Sequence, residues 1–141
     1  MTSRSFSVSI PAEKRSLKCL RAFLRAVLDD VGCDKAEDLV LAVDEACSNV
    51  IKYRYRTIDD GQICVTAEFE PAALRVRVGR FCMTQDVGRI KPRELDDVRP
   101  GGLGTSFISR IMDRVEFEEE PGQPGCVALV LERALRPASE A

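Results

Sequence analysis

The chain contains no histidine and no tryptophan, and only 6% of its 141 residues are aromatic. Without imidazole there is no Ser-His-Asp or Cys-His nucleophile, no histidine-ligated metal and no imidazole base. Long hydrophobic runs are missing too: no stretch approaches the roughly 18 apolar residues that read as a membrane span. The N-terminus has no charged region followed by an apolar run of about 7–15 residues, so no secretory signal and a cytoplasmic location are expected. An excess of positive charge is also absent. Net charge is −2 and the pI about 5.3, so neither nucleic acid nor a membrane is expected as a partner. What is present, 45% apolar and 31% charged residues, is the balance of a globular protein. The length fits one domain, 1–141, able to bury about two-thirds of its unfolded surface without a disulfide or metal. Chemistry must therefore come from carboxylates, Lys, Arg, Cys, hydroxyls, amides or a bound cofactor.

Six cysteines, at positions 19, 33, 47, 64, 82 and 126, include no C-x-x-C pair. That spacing argues against structural zinc. A disulfide framework is possible on count alone. The expectation is free thiols in a reducing cytoplasm, packed as small hydrophobes.

Ser5–Ile10 alternates polar and apolar residues as a short strand does, and Pro11 follows it. Leu17, Leu20, Phe23, Leu24, Val27, Leu28 and Val31 recur at three- and four-residue steps, predicting an amphipathic helix that stops at Gly32. Asp34 is placed to cap a second helix. Its apolar set is Ala36, Leu39, Val40, Val43, Ala46, Cys47, Val50 and Ile51, running to Lys52 or Tyr55. Asp59-Asp60-Gly61 signals a turn. Gln62–Phe69 and Leu74–Val78 read as a hairpin around Glu70-Pro71. From Phe81 to Gly104 no period is clear, and loops of that length in a compact domain are usually functional or mobile. A helix at Phe107, Ile108, Ile111 and Met112 precedes strands at Val115–Phe117 and Cys126–Leu131. The order β-α-α-β-β-loop-α-β-β is not strictly alternating, which predicts an α/β (α+β) two-layer sandwich with a mixed or antiparallel sheet.

Two features can carry chemistry. Glu45 and Asn49 are one helical turn apart and share a face. They lie more than 90° from the centre of the Val43/Val50 stripe, at about 100° per residue. A carboxylate and an amide so placed can hold a hydrated Mg2+ whose shell phosphates complete. The carboxylate can instead take a proton from an attacking hydroxyl, or the pair can simply belong to a solvated helix face. The second feature is Pro100-Gly101-Gly102-Leu103-Gly104-Thr105-Ser106, directly before a helix. Glycines allow backbone N–H groups close to a ligand, and a helix N-terminus suits phosphate. Thr105 or Ser106 can cap the helix or bond an oxygen. Neither a P-loop nor a dinucleotide fingerprint is matched, and a flexible hinge with a cap is the alternative.

Together, Leu39–Lys52 (LVLAVDEACSNVIK) and Arg99–Asp113 (RPGGLGTSFISRIMD) resemble the anti-sigma-factor serine/threonine kinases, bacterial members of the GHKL ATPase superfamily. EACSNVIK resembles their N-box and PGGLG their second glycine box. The resemblance implies a Bergerat-type fold, a mixed sheet covered by helices on one face, with ATP and Mg2+ as cofactors. It implies Glu45 as general base, Asn49 as Mg2+ ligand, and Gly101, Gly102 and Gly104, with Thr105, around the triphosphate. It further implies phosphorylation of a STAS-type antagonist, sequestration of a sigma factor, and a homodimer.

The first glycine box departs from the family pattern. Counting back from the second box places Arg80 where the family has the adenine-binding Asp, and Cys82 where it has Gly. In that register Asp86 matches a family Asp further along the loop. A second register would use Asp86-Val87-Gly88 instead. Tyr53 stands where the family commonly has His. Arg has no acceptor to offer adenine. Losing one buried charged hydrogen bond costs on the order of 1.5–3 kcal/mol, about ten- to a hundredfold in affinity. Glu45, Asn49 and the glycines point to an ATP-dependent kinase. Arg80, Cys82 and Tyr53 point to a degenerate nucleotide-binding or non-catalytic interaction module of the same fold. A thiol-based sensor, using Cys82 or Cys47, is a third reading.

Overall fold

The computed structural model describes residues 3–52, 57–58, 61–83, 107–122 and 126–135, with the backbone alone for 57–58 and 80–83. The first strand, β1, runs Arg4–Pro11, and a 3-10 turn at Lys14–Ser16 leads into helix α1, Leu17–Asp30. The predicted stripe of α1 is the buried one: Leu17, Leu20, Leu24, Val27 and Leu28. Gly32, at φ +68, ends the helix in a Schellman motif. Cys33 N–H donates to Leu28 O and Gly32 N–H to Asp29 O.

Helix α2 spans Ala36–Lys52. Asp34 does not cap it from the expected position. Its carboxylate accepts the N–H of Lys35 at 2.9 Å, and Lys35 turns the chain at φ +57 before the first helical residue. The remaining elements are β2 (Thr57–Ile58), β3 (Gln62–Glu70), β4 (Ala73–Met83), helix α3 (Phe107–Ile111), β5 (Arg114–Glu119) and β6 (Cys126–Ala134). The two-residue β2 carries no sequence signal, and β4 runs five residues beyond the predicted end at Val78.

The sheet order is β1-β3-β4-β6-β5, and β2 pairs with the end of β4. Every hydrogen-bonded pair among the described residues is antiparallel, the second of the two sheet types left open by the element order. Between β1 and β3 the chain makes two helices, so it returns reversed. β4 and β5 run in the same direction, but β6 lies between them. The mixed sheet implied by the resemblance therefore contains no parallel hydrogen-bonded neighbours among the described residues.

Alternation sorts the two faces. Ile63, Val65, Ala67 and Phe69 of β3, Leu74, Val76 and Val78 of β4, and Leu129 and Leu131 of β6 pack with α1, α2 and Ile108 of α3 in one core. The opposite face is closed by charge. Arg77 reaches Glu118 at 3.3 Å and Glu120 at 3.0 Å, and Arg75 reaches Glu118 at 2.6 Å. Arg114 joins Glu116 and, at 3.2 Å, Glu132. Beneath this lattice Ala128 and Val130 are fully buried, because the arginine stems cover apolar surface while their heads remain paired.

Candidate functional site

Helix α2 buries a wide stripe, Leu39, Val40, Ala42, Val43, Ala46, Cys47, Val50 and Ile51. Asn49 is buried with it, at 9% exposure. Its Nδ2 is shielded from solvent and has no hydrogen-bond partner among the described residues. Leaving such an amide unpaired costs about 1–3 kcal/mol, and an orphaned buried polar group calls for a reason. The solvated-face alternative therefore does not apply to Asn49. Glu45, one turn earlier, is half-buried and enters no hydrogen bond or ion pair among the described residues. The orphaned atom of Asn49 is a donor, which an anionic oxygen would satisfy, whereas a hydrated Mg2+ would take the Glu45 carboxylate and the Asn49 Oδ1.

The neighbouring acid is already engaged. Asp44 accepts from Arg21 Nη1 at 2.9 Å, and Glu37 accepts from Arg25 Nε at 3.0 Å. These two pairs bind α1 to α2 at points two turns apart on α2. The bond from Arg25 also holds the Glu37 carboxyl below its usual range. Of the adjacent acids Asp44 and Glu45, only Glu45 is left for other work. The sequence shows both acids but not the arginine that claims one of them.

Beside α2 lies α3, which packs against it and places Ile108 wholly inside the core. The helix that follows the glycine cluster thus sits along the helix carrying Glu45 and Asn49. It has five residues, too short to extend a dipole far beyond its first turn. Asp86, Gly101, Gly102, Gly104 and Thr105 lie outside the described residues, as does Tyr53.

Arg80 sits on β4 at a feature the sequence analysis missed. The β4–β6 register slips between Val78 and Phe81, so Gly79 and Arg80 together oppose Ala128. This is a β-bulge, which re-aims a strand and is common beside active sites. Gly79 is the readable part of that signal, since a Cβ there would stand 3.0 Å from the Ala128 Cβ.

Cys47 is no sensor. It is fully buried, and burial, reinforced by Asp44, pushes its thiol up to about 12. Its thiolate is then about 10⁻⁴ of the total at pH 8, so native Cys47 is expected to alkylate about 10³-fold more slowly than a free cysteine thiol. Peptide mapping after a timed iodoacetamide pulse checks this, and labelling of Cys47 as fast as exposed Cys19 would contradict it. The raised value also sets a direction for stability: it is intact below the unfolded thiol's ordinary range and declines as pH rises toward 12. The expectation of free thiols holds for Cys19, Cys33, Cys47 and Cys64. It fails for Cys126, which is disulfide-bonded.

The model of the histidine kinase-like ATPase domain matches residues 10–131. The chain belongs to that family. Its relatives include serine-protein kinases RsbW: that of Bacillus velezensis is 30% identical over 82% of this chain and 78% of its own length. That of Bacillus subtilis is 28% identical with the same coverage. The group that the paired motifs resemble is thus the group to which the chain is related. In fold, the chain matches a crystal structure of the RsbU and RsbW domains of a Mycobacterium tuberculosis protein. The TM-score is 0.64 at 19% identity, over 96% of this chain and 33% of that one. No helix among the described residues is long and apolar enough to cross a membrane. Membership of the ATPase family gives the orphaned amide of Asn49 a context, a domain of the ATP-binding type.

Proposed function

We propose that the chain, a single domain over residues 1–141, is an ATP- and Mg2+-dependent protein serine/threonine kinase and anti-sigma factor. Its substrate is a Ser or Thr of a STAS-type anti-sigma-factor antagonist. It alternates between that antagonist and a sigma factor, acts as a homodimer in the cytoplasm, and uses neither nucleic acid nor membrane. The observation that supports this reading is Asn49 Nδ2, a buried donor with no hydrogen-bond partner among the described residues, one turn from a Glu45 carboxylate that makes no hydrogen bond or ion pair among them.

Bound ATP supplies the phosphoryl group and Mg2+ neutralises its charge. Phosphoryl transfer depends mainly on positioning and charge neutralisation, so few side chains suffice. Glu45 accepts the proton of the substrate hydroxyl as that oxygen attacks. Asn49 would hold the metal through Oδ1, leaving its Nδ2 to donate to a phosphate oxygen. By the resemblance, Gly101, Gly102, Gly104 and Thr105 would hold the triphosphate, and Asp86 and Arg80 would belong to the nucleotide site. Arg80 supplies a cation where an acceptor for the adenine amino group is wanted, so nucleotide affinity below that of Asp-containing relatives is expected. The same residue favours a second reading, an interaction module of this fold with little or no catalysis.

Incubation with labelled ATP, Mg2+ and the cognate antagonist separates the two. The kinase reading expects label on an antagonist Ser or Thr, abolished by chelating Mg2+. A complex with the antagonist or sigma factor that forms equally without nucleotide, and no label, would leave the interaction module.

A further inference from the structure

The cysteines of this chain do not share one state. Cys19, Cys33, Cys47 and Cys64 are free, whereas Cys126 is disulfide-bonded. Cys126 opens β6, and its register partner on β4 is Cys82. Directly opposed residues of an antiparallel pair have Cα atoms about 4.5–5.5 Å apart, inside the roughly 4.4–6.8 Å that a disulfide requires. With six cysteines in the chain, four free and Cys126 bonded, one candidate partner remains. We propose that Cys82 and Cys126 form a reversible cross-strand disulfide, a redox modification site that fixes the end of β4 to β6.

Its place in the sheet gives the bond leverage. Cys82 lies two residues beyond the bulge at Gly79–Arg80, and it pairs with Ile58 of β2 on its other side. One covalent link there secures the ends of three strands where the ladder is already interrupted by the bulge. It also closes a loop containing α3 and β5.

Reversibility follows from the other thiols. A structural framework built for an oxidising compartment pairs its cysteines. Here Cys19 and Cys64 are exposed and free, and one cross-strand bond beside unpaired thiols fits the transient, redox-sensing disulfides of reducing compartments better than such a framework. The oxidant is a peroxide. One thiolate attacks hydrogen peroxide, forming an S–O bond as the O–O bond breaks, and the first water leaves. The second thiolate attacks that sulfenic sulfur, the S–S bond forms, the S–O bond breaks and a second water leaves. Two electrons pass from the thiols to the peroxide, and a dithiol reverses the step.

The consequence for the nucleotide rests on the proposed function. β4 carries Arg80, and fixing the strand's end alters how that position is presented. ATP affinity is expected to differ about threefold or more between the two redox states.

The test uses the full chain, fully reduced and then treated with hydrogen peroxide. Oxidation should lower the intact mass by about 2 Da, link the peptides of Cys82 and Cys126, and raise Tm by on the order of 5–10 °C. Dithiothreitol should reverse all three. Cys126→Ser and, separately, Cys82→Ser should abolish the link and the Tm rise. A link between other cysteines, no mass change in millimolar peroxide, or equal Tm in both states of the wild-type chain would overturn the disulfide site. Calorimetry with ATP and Mg2+ in each state tests the regulatory step, and equal Kd values would overturn that step. No ATP binding in either state would instead overturn the nucleotide reading, with mass and Tm still deciding the disulfide.

Discussion

Replacing Glu45 with alanine is expected to slow phosphoryl transfer about 10²–10⁴-fold, the usual worth of a positioned general base. The effect should fall on the single-turnover rate. ATP affinity should stay near wild type, because the carboxylate is assigned to the attacking hydroxyl. Asp44 is no substitute. Its carboxylate is held by Arg21 at 2.9 Å, and turning it to the other face would break the α1–α2 contact. Asp44→Asn therefore serves as the control, with a modest loss of stability and a rate within severalfold of wild type. Transfer by Glu45→Ala at the wild-type rate would remove Glu45 from the chemistry.

The largest expected effect on folding is at Phe69. It is 2% exposed, it ends the inward-facing row of β3, and it meets Phe6 of β1 edge to face at 6.2 Å and 79°. Phe69→Ala removes the apolar transfer energy of the ring and leaves a cavity between β3 and the helices. Such truncations cost about 3–5 kcal/mol. In a domain of this size that is a fall in Tm on the order of 10–20 °C. Urea melts of the two proteins measure it, and a difference under about 1 kcal/mol would mean that the helical layer collapses into the space.

Where apolar periodicity and local chain chemistry decide the structure, the sequence was legible. The α1 stripe, its stop at Gly32, the α2 stripe and the β3–β4 hairpin all follow from short-range pattern. β4 was cut short at Val78 for a physical reason. The bulge at Gly79–Arg80 breaks the two-residue period, and alternation read past it fails. β2 is two residues long and has no period to detect. The polar residues of the outer sheet face were visible as polar, but their pairing was not. Arg77 and Glu118 are 41 positions apart, and only the register unites them. The same holds for Cys82 and Cys126.

At the site, the spacing of Glu45 and Asn49 was readable because it is set within one helix. The burial of Asn49 was not, since its angle to the stripe centre is that of a boundary residue and the covering atoms come from elsewhere in the chain. Likewise, the choice of Glu45 over Asp44 as the free acid depends on Arg21, a residue of the preceding helix. Paired motifs at a fixed separation supplied what periodicity could not, and family membership is consistent with that pairing.

On the kinase reading, Asn49 is buried for a ligand and not for the fold. Thermal unfolding of the wild-type chain and of Asn49→Leu, each with and without ATP and Mg2+, tests it most directly. Without ligand, Asn49→Leu should be the more stable by about 1–2 kcal/mol, because an unpaired buried amide is replaced by an apolar group of similar size. With ATP and Mg2+ at 100 times Kd, the wild-type chain should gain about 2.7 kcal/mol and Asn49→Leu should gain nothing. A wild-type chain unmoved by millimolar ATP and Mg2+, or a variant that keeps the full shift, would contradict the claim.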